Sequence, residues 1–198
     1  MKRARPDIEP TIAFLCTRVL CSNIDDWKKL GRVVAFLNRM IDDKRVIGAS
    51  FLKALITCVD AAYTVYDNMM SQTGGLFSMG WGAIQTKSLK QKINAKSSTE
   101  AELIGVSEVL SYNIWIIKFL KSQGYELENN LLMQDNMSAI KMEQNGWKSC
   151  TGNSRHIDVR YFFVKDRVNK KEVIIKYCPT QKMLADFFTK PLQGAWFQ

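Results

Sequence analysis

The sequence predicts an α/β domain with a mixed five-stranded sheet flanked by helices, preceded by a mostly helical N-terminal segment. Short apolar runs bounded by turn-forming residues recur from about residue 51 onward, as is typical of strands. Other stretches repeat apolar residues every three or four positions, as is typical of helices that pack on one face. The patterns follow the order βββαβ(α)αβα without an internal repeat, which indicates one mixed domain.

The N-terminal segment, residues 11–47, is predicted to be mostly helical. Ser22, Asn23 and Asp25 are candidates for the cap that precedes its main helix. An apolar stripe with the 3,4,3,4 spacing of one helical face follows them. Because the segment has no convergent set of polar residues, we interpret it as an ordinary helix that packs this stripe against another element. The stripe consists of Trp27, Leu30, Val34, Leu37 and Ile41.

The first three strands are predicted to form an antiparallel meander. Residues 51–60 and 76–86 have the composition of strands, and residues 71–75, with two glycines, have that of a turn between them. Residues 90–96 are assigned to the third strand.

The first long helix of the domain follows the meander. Its start is indicated by a capping box, formed either by Thr99 with Glu102 or by Ser97 with Glu100. The apolar stripe of this helix consists of Leu103, Val106, Leu110, Ile114 and Ile117.

The C-terminal third is predicted to alternate strands and helices. Residues 129–134 and 173–177 have the composition of strands, and a short helix is expected at 138–145. A longer helix over 156–168 and a closing helix around 183–190 complete the domain. The buried side of the longer helix is predicted to consist of Ile157, Tyr161, Val164 and Val168.

Four acidic residues lie where a strand-like run ends or a helix begins: Asp60, Glu102, Asp135 and Asp186. Carboxylates gathered at one end of a sheet repel one another, and divalent metal ions neutralise such a cluster. The pattern therefore predicts a metal site that acts on phosphate. Taken singly, each acid also fits a local role, because Asp60 and Asp135 can cap loops, Glu102 can serve a capping box, and Asp186 can favour a helix N-terminus.

Composition narrows the class of protein. A hydrophobic content of 46% excludes a disordered chain, and the net charge of +9 favours a polyanionic partner, although surplus lysine also serves solubility. The five cysteines are scattered without a CxxC pair, and His156 is the only histidine. This pattern argues against a zinc site and indicates reduced thiols. No apolar run reaches membrane-spanning length, and residues 1–10 lack a signal-peptide core. We expect a cytoplasmic protein with neither a membrane partner nor a small-molecule cofactor.

Five runs carry a family resemblance: residues 59–63, 90–106, 133–140, 155–168 and 177–194. In order and spacing they resemble the ribonuclease H domain of Copia-like LTR retrotransposon Pol polyproteins. The combination of SSTEAEL with ADFFTKPL is the most specific part. Residues 1–50 resemble the tail and connection segment of the preceding reverse transcriptase, so the resemblance implies domains at 1–50 and 51–198.

The resemblance implies a central first strand with the fourth strand parallel beside it. Asp60, Glu102, Asp135 and Asp186 are then the catalytic and metal-binding residues. They would hold two Mg²⁺ ions about 4 Å apart, with Mn²⁺ as an alternative, for metal-assisted hydrolysis of phosphodiesters.

The resemblance also implies an endoribonuclease that cleaves the RNA strand of RNA–DNA hybrids during reverse transcription. The implied partners are the hybrid and the reverse transcriptase core of the same polyprotein, and the implied location is intracellular, including virus-like particles. A polymerase motif of the YxDD type is absent from the sequence, so this chain alone is not expected to synthesise DNA.

Candidate contacts to nucleic acid lie on the late helix and after Asp135. Helical spacing places His156, Arg160 and Arg167 on one face together with Phe163, and Arg155 precedes them. The alternative is an ordinary solvated basic helix. The remaining candidates, which could equally close an Asx turn, are Asn136 and Ser138.

Two other classes remain open at this stage. One is a decayed retroelement fragment that keeps the fold and binds hybrid without cleaving it. The other is an integrase-like strand transferase, which would need a third acid on a late helix and a zinc-binding module. The loop before Asp186 also lacks the histidine that assists product release in many ribonucleases H.

Overall fold

The computed structural model describes residues 5–49, 53–145 and 155–190. Seven strands are present in these ranges: β1 (Gly48–Ala49), β2 (Ala54–Ala62), β3 (Gln72–Ser78), β4 (Gly80–Trp81), β5 (Ala83–Lys90), β6 (Asn129–Gln134) and β7 (Ile174–Tyr177). Five of them form one mixed sheet in the order β5-β3-β2-β6-β7, and β1 and β4 form a small antiparallel ribbon.

Strand β2 is the centre of the sheet, as predicted for the first long strand. It pairs antiparallel with β3 and parallel with β6, while β6 pairs parallel with β7 and β3 antiparallel with β5. Most residues of β2 are buried, which agrees with a strand covered on both faces. The predicted five-stranded mixed sheet is therefore confirmed.

The meander was predicted with the wrong turn and the wrong third strand. Residues 71–75 do not form a turn, because β3 begins at Gln72 and the reversal lies in residues 63–70. The glycines are there for a close approach: a Cβ on Gly74 would lie 2.6 Å from the carbonyl oxygen of Ala185. The predicted second strand, 76–86, is divided among β3, β4 and β5. The third strand of the meander is β5, and residues 91–97 form the loop that leads from it into the next helix.

The longer helices are α1 (Glu9–Thr17), α2 (Ile24–Arg39), α3 (Ser98–Ser122), α4 (Met137–Asn145) and α5 (Arg155–Asn169). The predicted closing helix is a pair of short 3₁₀ turns, Thr180–Lys182 and Leu184–Phe188. We call residues 180–190 the C-terminal segment.

Helix α3 starts at the second of the two predicted caps. The Ser97 hydroxyl accepts the backbone N–H of Glu100 at 3.2 Å, and the Glu100 carboxylate accepts the backbone N–H of Lys96 at 2.7 Å. These contacts satisfy donors that a helix start leaves unpaired. Because Ser97 and Glu100 do this work, Glu102 is not needed for capping.

The main core lies between α3 and the sheet. Leu55 and Val59 of β2 meet Val106 and Leu110 of α3 in one buried cluster, and each such side chain contributes about 1.5–3 kcal/mol when buried. By length and composition α3 would also span a membrane, but half of its apolar window is buried inside the domain. Its contacts with β2 and β3 identify it as the core helix of this fold.

Helix α5 packs against α3 and α4. Tyr161 and Val164 are fully buried and Val168 packs against the core, as the helical spacing predicts. The side chain of Ile157 lies outside the described residues.

Helix α2 differs from its prediction. Asn23 caps it as expected, in a capping box with Asp26. The apolar stripe, however, faces outward: Trp27 is 73% exposed and Val34 59% exposed. The buried side instead carries Val33 and Asp26, and the Asp26 carboxylate pairs with Arg18 at 3.1 Å. The prediction that the stripe packs against another element of this chain is therefore wrong for the described residues.

Candidate metal centre and nucleic-acid contacts

The fold brings the predicted acids to one end of the sheet. Asp60 lies in β2, Glu102 is the fifth residue of α3, and Asp135 comes directly after β6. Because β2 and β6 are parallel neighbours, their carboxyl ends meet at the same edge. One carboxylate oxygen from each of these residues lies within 4.8 Å of the others. Three carboxylates from three different elements thus form a cluster of a size that can hold a metal ion.

Asp186 reaches the same edge from the C-terminal segment. Lys190 Nζ lies 3.3 Å from Asp186 Oδ2 and 3.8 Å from Asp60 Oδ2, so one ammonium group joins these two acids. The Thr189 hydroxyl donates a hydrogen bond to Asp60 Oδ2. Asp186 is therefore placed beside Asp60, next to the cluster of three, and Lys190 contacts both carboxylates.

Packing against β3 and β5 fixes the C-terminal segment. Gly74 lets the segment lie directly on β3, and the Ser88 hydroxyl of β5 donates to the carbonyl oxygen of Phe188 at 2.7 Å. Gln72 in turn donates to Ser88 at 2.7 Å. A small apolar cluster packs the segment against the sheet. It consists of Cys58, Leu76, Cys178, Met183, Ala185 and Phe188.

Burial and like charge disturb the titration of the cluster. Burial, together with the charges of Asp60 and Asp135, raises the pKa of Glu102 to about 9. Burial likewise raises the pKa of Asp60, with Thr189 acting in the opposite direction and the charge of Asp186 adding to the increase. Ionisation of Glu102 and Asp60 is therefore disfavoured without a metal ion, and a bound cation would favour it.

Two oxygens in the site fit a metal ligand set. Glu102 Oε2 and Asp186 Oδ1 are buried, and neither has a hydrogen-bond partner among the described residues. A buried carboxylate oxygen without a partner is costly unless a cation or water satisfies it. The donors of the site are all carboxylate oxygens, which hard cations such as Mg²⁺ prefer. The residues present therefore fit a divalent metal ion.

Comparison with known proteins agrees with this geometry, although no protein-family model matches the chain. The chain is 30% identical over 188 residues to the retrovirus-related Pol polyprotein from transposon TNT 1-94 of Nicotiana tabacum. It is 28% identical over 196 residues to that from transposon RE2 of Arabidopsis thaliana. The chain belongs to the Copia-type Pol polyproteins. These alignments cover 94% and 98% of the chain but only 14% and 13% of the two relatives.

A solved structure identifies the fold of this Copia-type chain. The N-terminal RNase H domain of a Mycobacterium tuberculosis protein superposes with a TM-score of 0.50 at 10% identity, covering 69% of this chain and 91% of that one. The predictions of the family and of a ribonuclease H-like fold are both confirmed.

Asn136, one of the predicted nucleic-acid contacts of the Copia-type domain, has internal partners. Asn136 Oδ1 accepts the backbone N–H groups of Ser138 at 3.0 Å and Ala139 at 3.1 Å, so Asn136 closes the turn that starts α4. The Ser138 side of this turn is exposed.

Two basic residues of α5, Arg160 and Arg167, are also paired. Arg160 Nη1 lies 3.9 Å from Glu108 Oε1, and Arg167 Nη1 lies 3.0 Å from Glu172 Oε2. The Arg167 guanidinium also lies over the Phe163 ring. Arg155 and His156 belong to the first turn of α5, but their side chains lie outside the described residues.

Sequence reasoning missed three site residues. Thr189 and Lys190 contact Asp60, and the Thr180 hydroxyl donates to Asp135 Oδ2 at 2.8 Å. A usable signal existed for the first two, because positions three and four after Asp186 lie near it in any helical turn. No comparable signal connects Thr180 to Asp135, which are 45 residues apart.

Proposed function

We propose that this chain is a metal-dependent endoribonuclease that cleaves the RNA strand of RNA–DNA hybrids during retrotransposon reverse transcription. One observation carries the proposal: carboxylate oxygens of Asp60, Glu102 and Asp135 lie within 4.8 Å of one another, near the carboxyl ends of the parallel strands β2 and β6. Asp186 lies beside them, and two buried oxygens of the set have no partner in the described part of the chain. Membership of the Copia-type Pol family and the ribonuclease H fold support the same function.

In this proposal Asp60, Glu102, Asp135 and Asp186 hold two Mg²⁺ ions, with Mn²⁺ as an alternative. When bound, the ions supply an activated water and stabilise the leaving 3′ oxygen. The protein contributes fixed ligands. Asp60 and Glu102 are anchored by the core, Thr180 orients Asp135, and the packing of the C-terminal segment holds Asp186 in place.

Hybrid binding is proposed to use the six residues that the sequence predicts as nucleic-acid contacts. A hybrid differs from duplex DNA by the 2′-hydroxyls of one strand, which proteins contact across the wide, shallow minor groove. The net charge of +9 supports attraction of the phosphate backbone. The proposed contact residues are Asn136, Ser138, Arg155, His156, Arg160 and Arg167.

The proposed setting is a longer polyprotein. We assign residues 1–50 to the tail of a reverse transcriptase and residues 51–198 to the ribonuclease H domain. The reverse transcriptase core of the same polyprotein is the proposed protein partner, inside the cell and in virus-like particles. Helix α1 supports a close connection between the two parts, because Thr86 of β5 donates to the Glu9 carboxylate at 2.5 Å.

A cleavage assay with labelled substrate tests this function. The purified chain is expected to cut the RNA strand of a hybrid in Mg²⁺, to be inactive in EDTA, and to leave double-stranded DNA intact. Equal cutting of hybrid and duplex DNA contradicts the proposal.

The matched variants are Asp60→Asn and Asp67→Asn, which remove the same charge in the cluster and at an exposed turn. Only Asp60→Asn is expected to abolish cleavage. A folded chain that binds hybrid and never cuts it would identify the alternative, a decayed fragment that retains the fold and binds without cleaving.

A further inference from the structure

Lys190 occupies an unusual place in the candidate metal centre. Its ammonium nitrogen lies 3.3 Å from Asp186 Oδ2 and 3.8 Å from Asp60 Oδ2, between two of the four proposed ligands. The backbone enforces this placement, because the N–H of Lys190 donates to the carbonyl oxygen of Asp186 at 3.1 Å. Lys190 therefore follows Asp186 by one helical turn and points toward the same edge.

The site is consequently divided into two halves. In the first half, Asp60, Glu102 and Asp135 converge, and Glu102 Oε2 has no partner among the described residues. In the second half, Asp60 and Asp186 already share a positive charge from Lys190. A metal ion that enters the first half meets three carboxylates, of which Asp60 and Asp135 accept hydrogen bonds from neutral hydroxyl groups. A metal ion that enters the second half meets a lysine ammonium between its ligands.

We propose that Lys190 is a resident counter-ion that competes with one of the two metal ions for Asp60 and Asp186. In the metal-free protein its ammonium neutralises this pair of carboxylates, and the ion that binds there displaces it. The inference rests on the proposed metal-dependent function, and it adds an order: the half formed by Asp60, Glu102 and Asp135 fills first.

Displacement of Lys190 is physically feasible. The Lys190 side chain is 45% exposed, so its long aliphatic stem gives the ammonium a short path to solvent. The competition is also strong, because a Mg²⁺ ion and an ammonium group a few ångströms apart repel each other. Two classes of metal affinity follow, with the weaker class at the half that Lys190 occupies.

Metal binding can test this without any cleavage. The probe is MgCl₂ alone, titrated calorimetrically into the wild-type chain and into Lys190→Met, which keeps the length of the side chain and removes its charge. The weaker Mg²⁺ affinity is expected to rise about tenfold in Lys190→Met, a change of about 1.4 kcal/mol. In EDTA the melting temperature of Lys190→Met is expected to fall by about 2 °C, because the carboxylates lose their counter-ion.

Two further variants serve as controls. Lys182→Met removes the same charge from an exposed position of the C-terminal segment and is expected to leave both Mg²⁺ affinities unchanged. Lys190→Arg keeps the positive charge and is expected to retain the weak second affinity.

The results separate this inference from the proposed function. If folded wild-type protein binds no Mg²⁺, both fail together. If the wild type binds Mg²⁺ and folded Lys190→Met binds it with the same or lower affinity, only the competition is overturned. A lower affinity would mean that Lys190 holds the carboxylates in place for the metal and does not compete with it.

Discussion

Glu143 and the acidic cluster around Glu102 both bury carboxyl groups, and these two regions differ in kind. Glu143 of α4 is fully buried, neither of its oxygens has a partner among the described residues, and burial alone raises its pKa to about 8. Glu102 is nearly as buried, but the charges of Asp60 and Asp135 add to the effect of burial and its pKa rises to about 9. A raised pKa therefore does not by itself identify a functional site. What distinguishes the cluster is that three elements contribute carboxylates that one cation can neutralise together.

The largest expected difference between the two regions is in cleavage. Asp60→Asn is expected to abolish cleavage of the hybrid, because it removes a ligand shared by both halves of the site. Glu143→Gln is expected to leave cleavage within about twofold of the wild type, because Glu143 is not part of the converging set. Initial rates on labelled hybrid in Mg²⁺ measure both.

The substitution that abolishes cleavage is expected to increase the stability of the metal-free protein. In EDTA, Asp60→Asn should raise the melting temperature by about 2–4 °C, because one of several repelling charges is gone. Added Mg²⁺ should then stabilise the wild type more than the variant. If Asp60→Asn melts lower in EDTA and responds to Mg²⁺ as the wild type does, Asp60 is a structural residue and the metal-site interpretation fails.

The next largest effect is expected from the contact that positions Asp186. A Cβ on Gly74 would lie 2.6 Å from the Ala185 carbonyl oxygen and 2.7 Å from Thr189 Cγ2. Gly74→Ala should therefore push the C-terminal segment away from β3, cost about 1–3 kcal/mol of unfolding free energy, and lower cleavage strongly.

Gly31→Ala is the matched control for this substitution. Nothing lies within 4 Å of a Cβ at this helical position of α2, so the change should stabilise the protein by about 0.5–1 kcal/mol without affecting cleavage. Full cleavage by Gly74→Ala would show that the C-terminal segment does not depend on this close approach.

The sequence predicted the acidic cluster and missed its support for physical reasons. Asp60, Glu102 and Asp135 stood out because strand ends and helix starts leave local patterns, and the family resemblance decided for a cluster over separate capping roles. The glycines of β3 were misread as a turn because the close approaches that they permit, of Gly74 to Ala185 and of Gly75 to Val109, come from segments distant in sequence. The apolar stripe of α2 has the spacing of a buried face, yet spacing alone does not say which surface covers it.

The two buried glutamates should also differ in how stability depends on pH. A carboxyl group whose folded pKa is raised binds its proton more tightly in the folded state, so its stabilising effect is present at low pH. That effect is lost as pH rises from the unfolded value near 4.5 toward the folded values of about 8 and about 9. In EDTA, the unfolding free energy should therefore increase as the pH is lowered from 9 to 5, by up to about 1.4 kcal/mol per pH unit for each proton.

Glutamine variants separate the two contributions to this pH dependence. Glu143→Gln should remove its share with or without Mg²⁺, whereas Glu102→Gln should remove its share only in EDTA, because a bound cation keeps Glu102 ionised in the wild type. Urea unfolding at pH 5, 7 and 9 measures this. If Mg²⁺ leaves the pH dependence of wild-type stability unchanged, Glu102 does not bind the metal ion and is, like Glu143, only a buried acid.

The smallest expected effect concerns the basic face of α5, where charge is present but already paired. Arg160 is paired with Glu108 and Arg167 with Glu172, so each guanidinium must share its charge between a carboxylate and any bound phosphate. Replacing both with glutamine should flatten the slope of log affinity against log salt for the hybrid by about one to two units. We expect the lower end of this range, about one unit, because the ion pairs already take up part of each charge.

The control for this double variant is Lys53→Gln, which removes a cation from a 2.6 Å ion pair with Glu128. Lys53 precedes β2, at the end of the sheet opposite Asp60, so its loss should leave the slope unchanged. Equal slopes for the double variant and the wild type would show that neither arginine contacts phosphate. Both arginines would then serve only the ion pairs inside the domain, on a solvated basic face. A slope that flattens only in the double variant would show that phosphate competes with Glu108 and Glu172, and that hybrid binding reaches from the acidic cluster to α5.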